Sequence, residues 1–125
     1  MHPEVGALCL YHYTCDDGAT GIARDGMLLP FPHPLLPEPL VWLTDLDTPI
    51  PDALGLTSLL VTCDRTAHRF TVRTGTAIWW PRYARRVDPA IRRMFDLTPG
   101  AMPTHWWVST TALRLEYQEA GEVHA

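Results

Sequence analysis

Short runs in which apolar and polar residues alternate mark most of the regular structure of this chain. Residues 8–14 alternate and are rich in aromatic side chains, which predicts a strand, because successive side chains of a strand point to opposite faces. The same pattern predicts strands over 40–44 (LVWLT) and 69–73 (RFTVR). A last strand, or a pair of strands, is predicted within 105–117, where the final leucines share one face.

Two short helices are predicted from the residues at their ends. The first starts at Asp16 or Asp17, either of which can cap it, and ends at Gly26. The second starts at Asp88, which is followed by a proline at the first helical position, and runs to about position 96.

The segments between these elements contain helix and strand breakers. Five prolines between positions 30 and 39 exclude regular structure and predict an extended surface loop. Residues 52–64 are ambiguous and are interpreted as a helical turn that leads into a strand. Residues 77–87 stay undecided, because Pro81 interrupts whatever element precedes it.

These elements predict one compact α+β domain over 1–125, with frayed ends at 1–6 and 119–125. We count five or six short strands and two or three short helices, without an internal repeat or a linker. Hydrophobic residues make up 46% and charged residues 19% of the chain, which excludes disorder as its main state. No apolar run approaches the roughly 20 residues of a membrane-spanning helix. The N-terminus lacks the regions of a signal peptide, so we expect a cytoplasmic protein without a membrane partner.

Arginine supplies all of the positive side-chain charge. The chain has ten arginines, no lysine and a net charge of -4, so the molecule as a whole does not attract nucleic acid. Any anion-binding group must therefore be an arginine, a histidine or a backbone N–H. Five arginines lie close together at positions 82, 85, 86, 92 and 93. Such a patch steers a phosphorylated ligand or a nucleic acid, or, more commonly, is a solvated surface.

The spacing Cys9-x2-His12-x2-Cys15 resembles part of a zinc site. On a strand, however, Cys9 and His12 point to opposite faces, and no further pair supplies the four ligands of a closed site. We therefore expect no metal. Cys63 is a nucleophile only if a histidine activates it, and a buried, unreactive thiol is the commoner case.

Two tryptophan pairs and one glutamate are further candidates. Neighbours on a strand point oppositely, so one member of each pair, at 79–80 and 106–107, is exposed, covered by a loop or lining a cleft, while the other packs in the core. Glu116 falls within a predicted strand, which makes it the leading candidate for a positioned carboxylate, with Glu119 second. The alternative is an exposed Glu116 paired with Arg114.

The order of these features resembles a known enzyme family. The strand LYHYT, the helix end IARDG, the segment MLLP, the strand VWLT and a late strand with a carboxylate are similar to the ADP-ribosyltransferase superfamily. The similar branch is diphtheria-toxin-like, has a histidine on its first strand and includes small bacterial and phage toxin-like members. Arginine without lysine or asparagine is typical of GC-rich genes, as in actinobacteria and their phages. The resemblance implies a mixed, split β-sheet and transfer of ADP-ribose from NAD to a nucleic-acid or protein acceptor.

The resemblance also implies roles for individual residues. His12 would contact the NAD ribose, and Thr14 would offer its backbone to the nicotinamide amide. Trp42 replaces the tyrosine that usually stacks on nicotinamide, and Glu116 would orient the acceptor or steady the ribosyl cation. The remaining implied NAD-binding residues are Tyr13, Thr44, Arg24 and Arg65, of which the two arginines would hold the pyrophosphate.

Two other functions remain open from the sequence. A domain of this family can keep its NAD or nucleotide pocket without turnover, as a binding module. The related RNA 2′-phosphotransferases also open with a histidine-bearing strand. That enzyme would need several arginines that converge on a phosphate, which the acidic net charge disfavours.

Overall fold

The computed structural model describes residues 8–48 and 67–115 and confirms the α+β class. The predicted strand within 52–64 and the candidates Cys63, Arg65, Glu116 and Glu119 lie outside these residues. None of the helices in the described ranges is long and apolar enough to cross a membrane. The described elements are, in chain order, β1 (Leu8–Thr14), α1 (Asp16–Asp25), β2 (Met27–Leu28), β3 (Val41–Thr44), β4 (His68–Thr74), β5 (Ile78–Trp79), α2 (Trp80–Tyr83), α3 (Pro89–Asp96), β6 (Trp106–Ser109) and β7 (Leu113–Arg114), with 3₁₀ turns at Ala84–Arg86 and Pro103–His105.

Five strands form the main sheet in the order β4-β1-β3-β6-β5, and β2 pairs with β7 in a small second sheet. Every strand pair between described residues is antiparallel, so the mixed sheet that we expected is not found there. The reason is visible between β1 and β3. The segment that links them returns to the end of the sheet where β1 finishes, and β3 therefore runs back along β1.

The main sheet is tightly paired in two halves. β1 pairs with β4 along its whole length, from Leu8↔Thr74 to Thr14↔His68. β3 likewise pairs with β6 along its whole length. Between the halves, the described pairing of β1 with β3 is confined to Tyr11↔Thr44. The two halves therefore meet at one position and can part on either side of it.

Alternation along the strands gives the sheet two different faces. The first, which we call the histidine face, carries Leu10, His12, Leu43 and Phe70, and is covered by α1 and the small sheet. The second, which we call the aromatic face, carries Trp42, Trp106 and Val108 and is covered by α2, the 3₁₀ turn that follows it, and α3. The buried members of the second cover are Trp80, Tyr83, Ala84 and Val87.

Helix α1 has the predicted extent, but its N-cap residue is not the predicted aspartate. The N-cap residue is Cys15, with an extended backbone and no side-chain hydrogen bond, because Asp16 already lies in the first turn. The Asp16 carboxylate is hydrogen-bonded to Nε2 of His68, at 2.6 Å. The helix ends as predicted at Gly26, whose left-handed backbone (φ 68°) suits glycine and whose N–H donates to the Ile22 carbonyl.

The segment 77–87, which the sequence left undecided, contains strand β5 and helix α2. Pro81 lies in the first turn of α2, where the missing N–H costs nothing, so it starts a helix there. Helix α3 spans the predicted residues, and the Asp88 carboxylate caps it by accepting a hydrogen bond from the Ala90 N–H at 2.8 Å. The proline-rich segment is a loop closed by the isolated bridge Phe31↔Leu40.

Candidate functional site

The imidazole of His12 has one nitrogen anchored and the other open. Nδ1 lies 2.7 Å from the carbonyl oxygen of Trp42, and because a carbonyl only accepts, the proton must sit on Nδ1. Burial lowers the pKa of His12, and the bond to Trp42 opposes that shift only partly, so the ring is neutral near pH 7. Within the described part of the chain, Nε2 has no hydrogen-bond partner, and its lone pair is free to accept one.

This geometry follows from the way the sheet divides. His12 follows the one described bridge between β1 and β3, at Tyr11↔Thr44. Beyond that bridge the Trp42 carbonyl of β3 accepts a hydrogen bond from the His12 side chain of β1. His12 thus spans the boundary between the two halves of the sheet.

Thr14 lies two positions beyond His12 on the same face, where α1 begins. Gly18 of α1 approaches it so closely that a Cβ on Gly18 would overlap with Oγ1 of Thr14. Glycine is therefore required for this close approach. The result is a fixed corner of strand and helix beside His12.

Tyr13 and Thr44 lie on the other side of the sheet from His12. The Tyr13 hydroxyl donates to the Leu46 carbonyl at 2.9 Å, and burial raises the pKa of Tyr13. The Thr44 hydroxyl donates to the His105 carbonyl at 2.8 Å and accepts from the Leu46 N–H at 3.1 Å. Both side chains therefore hold the turn that follows β3.

The indole of Trp42 is also separated from His12, because positions 42 and 43 of β3 point to opposite faces. It packs against Trp80, Trp106 and Phe95, with ring centroids 5.0, 6.1 and 5.9 Å away. Only the backbone carbonyl of Trp42 meets His12. The structure thus does not bring together the two rings that the resemblance assigned to one nicotinamide-ribose pocket.

The arginines and the glutamate of the predicted site are not gathered around His12 either. Arg24 lies in the last turn of α1, at the end of the helix remote from Thr14. Its Nε is 3.1 Å from the Asp25 carboxylate, and its side chain is largely exposed. Arg65 and Glu116 lie outside the described residues, so their assigned roles stay predictions.

A different tryptophan shares the face of His12. The pairing of Tyr11 with Thr44 puts His12 beside Leu43. Leu43 pairs with Trp107 and Trp107 with Trp79, so these side chains form one row across the sheet. Strands lie about 4.8 Å apart, so Trp107 is roughly 10 Å from His12 and Trp79 roughly 14 Å. Trp107 is half-buried, Trp79 is exposed, and their neighbours Trp80 and Trp106 are buried. The prediction that each tryptophan pair divides between core and surface is confirmed.

Sequence reasoning missed an aspartate–histidine pair on this face. Nδ1 of His105 is 2.6 Å from Oδ1 of Asp45, and the Trp107 indole N–H donates to Oδ2 of Asp45 at 3.2 Å. The carboxylate thereby orients the imidazole and leaves its Nε2 facing away, as a general base requires. The signal in the sequence was positional: Asp45 directly follows β3, His105 directly precedes β6, and the ends of antiparallel neighbours meet.

No cluster of three or more histidine, cysteine, aspartate or glutamate side chains suited to a metal ion occurs within 8–48 and 67–115. Compared with models of protein families, with curated proteins and with solved structures, the chain shows no significant match in any of the three. The function must therefore be inferred from the geometry itself.

Proposed function

We propose that this protein is an NAD-dependent ADP-ribosyltransferase in which His12 binds the ribose of NAD. The observation that carries the proposal is the state of the His12 ring: neutral, anchored through Nδ1, and open at Nε2. In that state Nε2 accepts a hydrogen bond from a ribose hydroxyl. The ring lies next to the one described bridge between the halves of the sheet, where the strand pairing is least continuous.

Trp107 is the aromatic side chain that we assign to the nicotinamide ring. It lies on the face of His12, is half-buried, and is held by its bond to Asp45. A planar ring bound there would stack on the indole. Trp42 contributes its carbonyl to His12 and its indole to the core.

The reaction is the transfer of ADP-ribose to a nucleophilic acceptor. The bond from the ribose C1′ to the nicotinamide nitrogen breaks, and nicotinamide leaves with the electron pair. The acceptor forms the new bond to C1′ and gives up its proton, which Nε2 of His105 is oriented to take. A carboxylate near C1′ stabilises the developing cation, a role for Asp45 or Glu116. No step requires a metal.

The test compares the wild-type protein with His12→Asn. The asparagine amide keeps a donor for the Trp42 carbonyl but has nothing at the position of Nε2, so the fold is retained. We expect NAD to raise the melting temperature of the wild type, and His12→Asn to bind NAD about 10-fold more weakly, the value of one hydrogen bond. Arg114→Gln, an exposed change on β7, serves as the control and should bind as the wild type does.

Nicotinamide release, measured by chromatography, separates catalysis from binding. Release that falls in both His12→Asn and His105→Gln supports the transferase. Binding of NAD without release identifies a non-catalytic NAD-binding module. This outcome is a real alternative, because both oxygens of Asp45 already accept hydrogen bonds from His105 and Trp107. Absence of both binding and release refutes the proposal.

A further inference from the structure

On the aromatic side of the molecule, a groove beside α2 is lined mainly by arginine. Its volume is about 360 Å³, and its walls are Ile78, Arg82, Tyr83, Arg85 and Arg86. We propose that this groove binds the phosphodiester backbone of a single-stranded nucleic acid.

Positive charge is concentrated at this place. Three of the ten arginines of the chain line the groove and two more, Arg92 and Arg93, follow on α3, although the net charge is -4. A local positive field in an acidic molecule favours a defined anionic ligand, because the rest of the surface repels it. The proposed site is therefore confined to the groove and its rim.

Two of the groove arginines are available to a ligand. Arg82 and Arg85 are exposed, and neither forms an ion pair with a carboxylate in the described ranges. A guanidinium presents a planar fork of donors that matches two phosphate oxygens, and it keeps its charge at every physiological pH. Arg82 and Arg85 are thus suited to contact phosphates.

The third arginine and the tyrosine form a rigid floor. Tyr83 is fully buried, and its hydroxyl donates to the Glu38 carboxylate at 2.7 Å. Burial, followed by this bond to Glu38, raises the pKa of Tyr83 far above its ordinary value, so the phenol stays protonated. The Arg86 guanidinium lies over the Tyr83 ring at 5.3 Å and 3.9 Å from Glu38. The Tyr83 side of the groove is therefore preformed, which lowers the entropic cost of binding, while the exposed arginines must still be ordered by the ligand.

An exposed tryptophan at the same edge favours nucleic acid over an acidic protein. Ile78 lines the groove, and the next residue, Trp79, is 41% exposed. Ile78 faces the groove and Trp79 faces the other side of the sheet, but both belong to β5, the edge strand, so a strand of nucleic acid that passes round this edge can reach both. Unpaired bases stack on aromatic rings while arginines hold the backbone, and duplex DNA or an acidic peptide has no unpaired base to stack.

The site is independent of the proposed NAD chemistry. The groove arginines belong to the aromatic side of the sheet, whereas His12 points to the other face, and Trp79, which shares that face, lies at the β5 edge roughly 14 Å from His12. A protein that fails to bind NAD can still bind nucleic acid here, and the two proposals fail separately.

The experiment measures fluorescence anisotropy of a short labelled oligothymidylate at about 50 mM and about 200 mM salt. We expect Arg82→Gln and Arg85→Gln each to weaken binding about 5-fold at the lower salt and to reduce the salt dependence by about one released ion. Arg114→Gln removes the same charge from the small sheet and should leave binding within about 2-fold of the wild type. Trp79→Ala should weaken binding by about 10-fold without changing the salt dependence, as loss of stacking does.

Three outcomes would overturn the proposal. The first is no binding at the lower salt. The second is an equal effect of Arg114→Gln and Arg82→Gln, which would indicate net charge alone. The third is equal or tighter binding of a duplex or of a polyglutamate peptide of the same charge, which would assign the groove to another class of partner.

Discussion

The two faces of one sheet differ in how completely their polar groups are used. On the aromatic face, the Trp80 indole N–H donates to the Asp96 carboxylate at 2.8 Å, and Tyr83 donates to Glu38. On the histidine face, one nitrogen of His12 is anchored and the other has no partner among the described residues. A half-buried ring nitrogen that the described residues leave without a partner can accept a hydrogen bond from a ligand, which the internally paired polar groups of the aromatic side cannot do.

The difference arises from alternate residues of the same strands. On β3, Trp42 enters a group of rings that includes Trp80, Trp106 and Phe95, whereas Leu43 packs on the other face beneath α1. The aromatic face buries large rings and secures the sheet. The histidine face is mainly aliphatic, with Phe70 opposite His12 and Trp107 at its side, and it holds a titratable ring at the boundary between the halves of the sheet. Substitutions on each face should thus have different consequences.

The largest expected effect comes from the aromatic face. Trp80→Ala removes a fully buried indole that contacts several rings, and we expect it to lower the free energy of unfolding by about 3–5 kcal/mol. Urea denaturation followed by circular dichroism measures the change.

Trp79→Ala is the matched control, because it removes the same side chain one position earlier. Trp79 is 41% exposed and its indole N–H donates to the Thr104 carbonyl at 2.8 Å, so the loss should be about 1–2 kcal/mol, well below that of Trp80→Ala. Similar losses for the two variants would show that the aromatic face does not secure the sheet.

Most of this fold could be predicted from the sequence, because its signals are local. Strand β1 and helix α3 occur at their predicted residues, since alternation and an Asp-Pro helix start depend only on neighbours in the chain. The Asp16 cap was wrong because the helix begins one residue earlier, with Cys15 as its N-cap residue, and the Asp16 carboxylate bonds to His68 instead. The direction of strand pairing was also missed, since it depends on where a connection returns.

The second prediction concerns the corner of the histidine face. Alanine normally stabilises a helix by up to about 1 kcal/mol relative to glycine. At Gly18 the added Cβ would overlap with the Thr14 hydroxyl, so we expect Gly18→Ala to destabilise the protein by about 1–3 kcal/mol. Thermal or urea unfolding measures the sign.

Gly21, one turn along the same helix, provides the control. A Cβ there would meet only the Arg24 guanidinium, at an ordinary 3.8 Å, so Gly21→Ala should stabilise by about 0.5–1 kcal/mol. Adding Thr14→Ala to Gly18→Ala should recover most of the loss. If both glycine substitutions stabilise, α1 does not pack on Thr14 as described.

The candidate site was less predictable than the fold. His12 and Thr14 share a face as strand periodicity requires, but the partner of His12 is a backbone carbonyl, which no side-chain pattern reveals. The pair of Asp45 and His105 joins residues 60 positions apart, and only the register of β3 with β6 brings them into contact. Long-range register is the information that local sequence patterns lack.

The smallest expected effect is the pH dependence that His12 gives to stability. Burial holds its folded pKa below the ordinary value near 6.5, so between these two values the unfolded chain binds the proton that the folded protein excludes. Stability is greatest above the unfolded pKa, falls by up to about 1.4 kcal/mol per pH unit as the pH drops below it, and stops falling once the pH is below the folded pKa. Urea unfolding at several values from about pH 7.5 to 5 should show a shallower loss in His12→Asn than in the wild type, while Gly21→Ala keeps the wild-type slope. Equal slopes in the wild type and His12→Asn would mean that the imidazole gains its proton as easily folded as unfolded, and the neutral ring proposed to bind ribose would lose its physical basis.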